Sequence, residues 1–180
     1  MGSVDPALHA VACGVLALVL LRAAWHKGRD ARSFRIALDD YALLPSGWIP
    51  KVALGLVVVE VSVAAFLLVP VTAGVGAIAA AFLLAGYSAA VGVNLLRGRR
   101  FIDCGCGGAA GRPVDESLLL RNAGLVLVAF AAAAPVSARP LGGVDAMTIA
   151  FGTVAAALLY VAADVALAQS VRVRALRRQA

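Results

Sequence analysis

The chain has 180 residues, of which 62% are hydrophobic and 14% charged, which leaves too little polar surface for a soluble domain and makes lipid the expected solvent. Three cysteines exclude a disulfide-rich secreted module. The formal charge of +6 does not point to nucleic acid, because the basic residues sit between and after the apolar runs, where membrane topology signals sit.

The pattern predicts an all-α, polytopic transmembrane helical bundle, a single domain over 1–180, with five spans near 7–26, 52–69, 73–96, 117–135 and 146–169. The first run lacks a basic n-region and is preceded by Asp5, so it reads as a retained span rather than a signal peptide. Cys13 inside it reads foremost as a small buried hydrophobe and secondarily as a redox partner. The long connection 27–51 carries Phe34, Leu38 and Tyr41 at helical spacing before Pro45. Two readings stand equal there, a short amphipathic helix in the headgroup layer and a solvated loop.

In the second span Glu60 is the only charge. A lone carboxylate in hydrocarbon must face the bundle, either to handle protons or to bond a neighbouring helix. No charge interrupts Val61 to Leu96, a run too long for one span, and Pro70 with Gly74 and Gly76 supplies the turn. Ala- and Gly-rich stretches such as 85–92 allow close helix packing and would permit a homo-oligomer.

The stretch 103-DCGCGG-108 follows the basic run 97-RGRR-100. Cys104 and Cys106 form a C-x-C pair in which Gly105 accommodates a strained turn, and the arginines favour the thiolate that attacks disulfides or binds soft metal ions. Beneath that loop, depth alone gathers Asn94, Arg121, Asn122 and Asp164, where Arg121 either pairs with Asp164 or snorkels to the headgroups without a partner. Two thiolates would hold a Cu(I)-type ion but not a closed zinc site, and His9 and His26 are expected on opposite sides of the membrane.

Every Lys and Arg except Arg139 falls on one side of such a five-span bundle. The positive-inside rule then puts the N-terminus outside and the C-x-C loop and C-terminus in the cytoplasm. The Ala, Val and Arg content suits a bacterial gene, hence a bacterial inner membrane.

The segment 34-FRIALDDYALLP-45, Glu60, and 104-CGCGG-108 followed by 121-RN-122 resemble the methylamine utilisation protein MauE family of DoxX-like small membrane bundles. The resemblance covers about residues 20–135. It implies a polytopic inner-membrane protein that helps a thioredoxin-like partner form the disulfides of methylamine dehydrogenase. It also implies Cys104 and Cys106 as the exchanging pair, with Glu60, Arg35, Tyr41, Arg121 and Asn122 around them. The family commonly has an aromatic after the second Cys, where this chain has Gly107, and its role implies an outer-facing site, against the charge count.

The leading expectation is a membrane thiol–disulfide exchange component whose dithiol exchanges with a thioredoxin-like or other thiol protein. A quinone, or Cys13, would be needed if electrons are to cross the membrane. The alternatives are soft-metal binding or transport through Cys104 and Cys106, a scaffold that positions a soluble redox enzyme, and transport of a small solute.

Overall fold

The computed structural model describes residues 3–99, 102 and 114–177, with side chains described as far as residue 170. Among the described residues six α-helices follow one another: α1 (Pro6–Arg29), α2 (Ala31–Asp40), α3 (Ile49–Leu68), α4 (Ala73–Leu96), α5 (Glu116–Ala132) and α6 (Gly143–Arg177). Four segments of the described residues are long and apolar enough to cross a membrane, namely Pro6–Arg29, Ser46–Leu68, Ala73–Leu96 and Gly143–Ser170. The segment expected to span at 117–135 is helical, but α5 has only 17 residues, extends about 25 Å at 1.5 Å per residue and is not among these four. The chain is a multi-pass membrane protein whose helices face lipid on one side and one another on the other.

Local chemistry sets the boundaries. Asp5 caps α1 by accepting from the Ala7 amide at 2.8 Å, and Pro6 opens the helix where its missing N–H costs nothing. Asp30 ends α1 and caps α2, accepting from the Ser33 amide at 3.0 Å. The connection at 27–51 therefore holds a helix, beginning earlier than its apolar pattern suggests and stopping at Asp40, after which Ala42 adopts positive φ. Phe34 and Ala37 of α2 are buried while Arg32 and Arg35 face outward, the amphipathic arrangement of an interfacial helix. Asp115 caps α5 by accepting from the amides of Ser117 and Leu118.

α1 packs between α3 and α6, and α4 between α3 and α5. Their shared core is built of small residues, Ala17, Ala64, Ala77, Ala80 and Ala129, interleaved with Leu16, Leu20, Leu67 and Leu84. In lipid the association of helices rests on close van der Waals contact, which small side chains permit. α6 lies against the outside of α1, where Gly14 meets Thr153 and Gly152 meets Val11. Its other face exposes Met147, Phe151, Leu158 and Leu159.

The α3–α4 turn combines Pro70 with a hydroxyl clamp, Thr72 Oγ1 donating to the carbonyls of Phe66 (2.9 Å) and Val69 (3.2 Å). Of the two glycines expected to make this turn, Gly76 alone is needed. A Cβ there would lie 2.7 Å from the Leu67 amide nitrogen and 2.9 Å from the Phe66 carbonyl carbon, whereas Gly74 faces open space.

At the same end of the bundle the N-terminus is fastened to the α5–α6 connection. The Val4 amide donates to the Pro135 carbonyl (2.8 Å), and the Ser137 amide donates back to the Val4 carbonyl (2.9 Å). Arg139 spans Asp5 and Asp145, with its Nε 2.8 Å from Asp5 Oδ2 and its Nη2 2.7 Å from Asp145 Oδ1. The end of α5 therefore lies beside the start of α1.

Two outcomes are expected. Gly76→Ala should lower the thermal midpoint in detergent, because a backbone clash costing about 1–3 kcal/mol exceeds the helix-propensity gain of about 1 kcal/mol, while Gly74→Ala should leave it level or higher. The second concerns acid. The hydrogen bond from Arg139 holds the Asp5 carboxyl below its usual value, against an opposing desolvation, and the Ala7 amide assists. A depressed native value means that this contribution is full above the unfolded value of about 3.9 and is lost as pH falls through the native one. Acidification from about pH 6 to about pH 3 should cost the wild type more thermal midpoint than Asp5→Asn, which retains a capping side chain without the charge.

Candidate functional site

Glu60 sits midway along α3 and is fully buried. An isolated carboxylate at such depth is costly, and two other helices supply its partners. Lys27 Nζ, from the last turn of α1, makes a salt bridge to Glu60 Oε1. The Tyr87 hydroxyl, from α4, donates to the same oxygen at 2.7 Å and accepts from Lys27 Nζ at 3.2 Å. The ammonium also lies 4.6 Å from the Tyr87 ring centroid and 5.4 Å from that of Phe34 on α2, distances at which a cation is attracted to an aromatic face. Four helices thus converge on one ion pair. Glu60 Oε2 has no partner among the described residues.

A second polar cluster joins α5 to α6. Arg121 Nη1 donates to Asp164 Oδ1 at 3.3 Å, and Arg121 Nε and Nη2 donate to Asn122 Oδ1 at 3.4 and 3.2 Å. Both clusters border one cavity of about 430 Å³, whose remaining wall is mostly leucine and aromatic and includes Tyr41 and Tyr160. A mostly apolar chamber with a few convergent polar groups is the usual form of a small-molecule site.

Of the residues singled out from sequence, Glu60, Arg121, Asn122, Asp164 and Tyr41 meet around this cavity. Two do not. Asn94 is fully buried in α4, where its amide donates to the Ala90 carbonyl at 3.1 Å. Arg35 is exposed and its Nε bonds the Ala31 carbonyl of its own helix at 3.1 Å. Cys104 and Cys106 lie outside the described residues. The described residues flanking them are tied together, the Val114 amide donating to the Ile102 carbonyl at 3.1 Å, and both pack with Tyr41 and Val91. Cys13 is buried in the core of α1, 3.7 Å from His9 Nε2. Among the described residues no three His, Cys, Asp or Glu side chains gather as a metal site.

Sequence reasoning missed Lys27 and Tyr87. Lys27 counts as a topology signal only if α1 ends at residue 26; the helix runs to Arg29. The buried stripe Cys13, Leu16, Ala17, Leu20, Ala24 then continues to Lys27 at helical spacing. That periodicity is readable in the sequence, and so is Leu84, Tyr87, Val91 on α4. Glu60→Leu alone should cost about 3–5 kcal/mol, because it strands a buried ammonium, whereas Lys27→Met together with Glu60→Leu should recover most of the loss. Thermal denaturation of the single and double variants in detergent measures the difference.

Comparison with known proteins now bears on the same residues. The profile of the family described as methylamine utilisation protein MauE matches residues 5–135, a stretch that includes both polar clusters apart from Asp164. The chain is similar to the methylamine utilization protein MauE of Paracoccus denitrificans, at 38% identity over 83% of this chain and 81% of that one. It is similar also to that of Methylophilus methylotrophus, at 34% identity over 89% and 86%, and to that of Paracoccus versutus, at 37% over 87% and 83%. No solved structure matches it. Matched over most of its length by profile and relatives alike, the chain belongs to the methylamine utilisation protein MauE family.

Proposed function

We propose that this protein is a membrane-embedded accessory factor of methylamine utilisation that works by thiol–disulfide exchange through Cys104 and Cys106. The observation that carries this reading is the footing of the C-x-C segment: Ile102 and Val114, hydrogen-bonded to each other, pack on Tyr41 and Val91, which also line the polar-floored cavity. Cys104 follows Ile102 by two residues, so covalent reach keeps it within about 7 Å of that anchor.

In the exchange, a thiolate of one protein attacks the disulfide of the other, a mixed disulfide forms, and the second thiolate of the attacking pair resolves it. Electrons pass to whichever pair began as a disulfide. A disulfide across three residues is strained, and strained disulfides are the more oxidising ones, so the favoured direction oxidises the partner. A thioredoxin-like protein has the paired thiols that this requires. Arg97 and Arg99, just ahead of the segment, favour thiolate over thiol.

In the membrane this reading has five crossings. α5, short as it is, returns the chain to the end where Val4 lies, and its 17 residues suit a bilayer core of about 30 Å only with local thinning or snorkelling at its ends. With the N-terminus outside, the C-x-C segment faces the bacterial cytoplasm.

Cys106→Ser should trap a mixed disulfide between Cys104 and a partner, visible as a reducible adduct on non-reducing gels and absent from the double Cys→Ser variant. If neither cysteine variant altered the redox state of any co-purifying protein, the exchange reading would be wrong. A membrane-impermeant thiol reagent should label Cys104 and Cys106 only after permeabilisation; labelling in intact cells would reverse the orientation.

A further inference from the structure

The exchange reading leaves one requirement open: if the Cys104–Cys106 disulfide oxidises a partner, the resulting dithiol must lose two electrons before it can act again. We infer that the cavity is the site of a lipid-soluble quinone that takes those electrons. The inference rests on that reading for its redox step and on three features of the cavity for its ligand.

The first is the mouth. The cavity wall includes Leu43, Leu44 and Phe82, which are 39%, 38% and 76% exposed, with Gly86 one helical turn beyond Phe82. Phe82 and Gly86 lie in the middle of the candidate span Ala73–Leu96, so this part of the wall is apolar and set at hydrocarbon depth, while the exposed Arg22 also lines the cavity. A ligand entering there must be dissolved in the membrane, with an apolar tail that the leucines cover.

The second is the floor. Lys27 carries three N–H donors, of which two meet Glu60 and Tyr87. The guanidinium of Arg121 borders the same space. Cationic donors in a mostly apolar chamber suit a ring carbonyl, which gains negative charge as it is reduced. Glu60 Oε2, buried and unpartnered among the described residues, is an acceptor of the kind that a hydroquinone O–H satisfies and a quinone carbonyl cannot. The ion pair therefore offers groups to both redox forms of one ligand, which neither a hydrocarbon nor a phospholipid tail would use.

The third is continuity with the thiols. Tyr41 and Val91 form part of the cavity wall and also the platform on which Ile102 and Val114 sit. The step balances: the two thiols give up two protons and two electrons and form one S–S bond, while the quinone takes up two electrons and two protons and its two C=O groups become C–OH.

The test uses the full-length protein in detergent, titrated with a short-tailed benzoquinone. Saturable binding is expected in the wild type and also in the Cys104→Ser/Cys106→Ser variant, since the thiols are not the binding groups. Gly86→Leu should weaken it by at least about tenfold. A Cβ at Gly86 meets nothing within 4 Å, so the added side chain starts in open space at the cavity wall. Tyr87→Phe serves as the second, milder variant, removing one hydroxyl from the floor. The reduced wild type, mixed with the quinone, should give one hydroquinone per disulfide formed, and the double cysteine variant none. Absence of saturable binding, binding unchanged in Gly86→Leu, or one-for-one displacement by phospholipid would overturn the proposal. Binding that is sensitive to Gly86→Leu but yields no hydroquinone would support the quinone site and overturn the exchange reading instead.

Discussion

The bundle is organised around the contact between Lys27 and Glu60. A carboxylate in the middle of α3 and an ammonium in the last turn of α1 are each unfavourable in hydrocarbon, and each removes most of the other's penalty. Their pairing sets the rotation of both helices about their axes. Tyr87 then fixes α4 against the same carboxylate, and the rings of Tyr87 and Phe34 close over the ammonium. Leucines and alanines alone would allow these helices to slide or rotate with little loss. One hydrogen-bonded charge pair makes a single arrangement the favoured one.

The alanine-rich seams have a complementary effect. Because Ala64, Ala77, Ala80 and Ala129 are almost wholly enclosed, the helices approach closely where those residues meet and diverge where the side chains are larger. The cavity occupies the divergent half, between the Tyr41 platform and the two polar clusters. Close packing at one end of the bundle and an open chamber at the other follow from one distribution of side-chain sizes.

Much of this was legible in the sequence. The all-helical class, the order of the four long apolar helices, the turn at Pro70 and the similar depth of Arg121 and Asp164 follow from hydrophobic runs and charge placement, whereas a fifth span at 117–135 does not, since α5 has only 17 residues. The difficulties were of two physical kinds. Helix ends are poorly marked where a polar residue continues a buried stripe, so Lys27 was counted with the surface charges though its side chain is buried. The segment 27–51 was ambiguous because an interfacial helix of ten residues has too few turns for its periodicity to stand out from a loop. Tyr87 lacked any signal of charge, and only its helical spacing with Leu84 and Val91 marks the face of α4 on which it lies. The close approach at Gly76 and the open space at Gly74 could not be separated by sequence, since the difference lies in which backbone passes behind each of them.

The fastening of Val4 to Ser137 joins residues 133 apart in the chain, and this bears on the order of assembly. During synthesis Val4 emerges well before Pro135 and Ser137 and stays without these partners until α5 has been made and has returned to the same end. Contacts of such long sequence separation close late. α6 then adds to the outside of α1, against Gly14 and Val11, on a surface already held in place. The clasp is thus a marker of completion: it can close only after α5 has been made, whereas the buried ion pair joins residues only 33 apart.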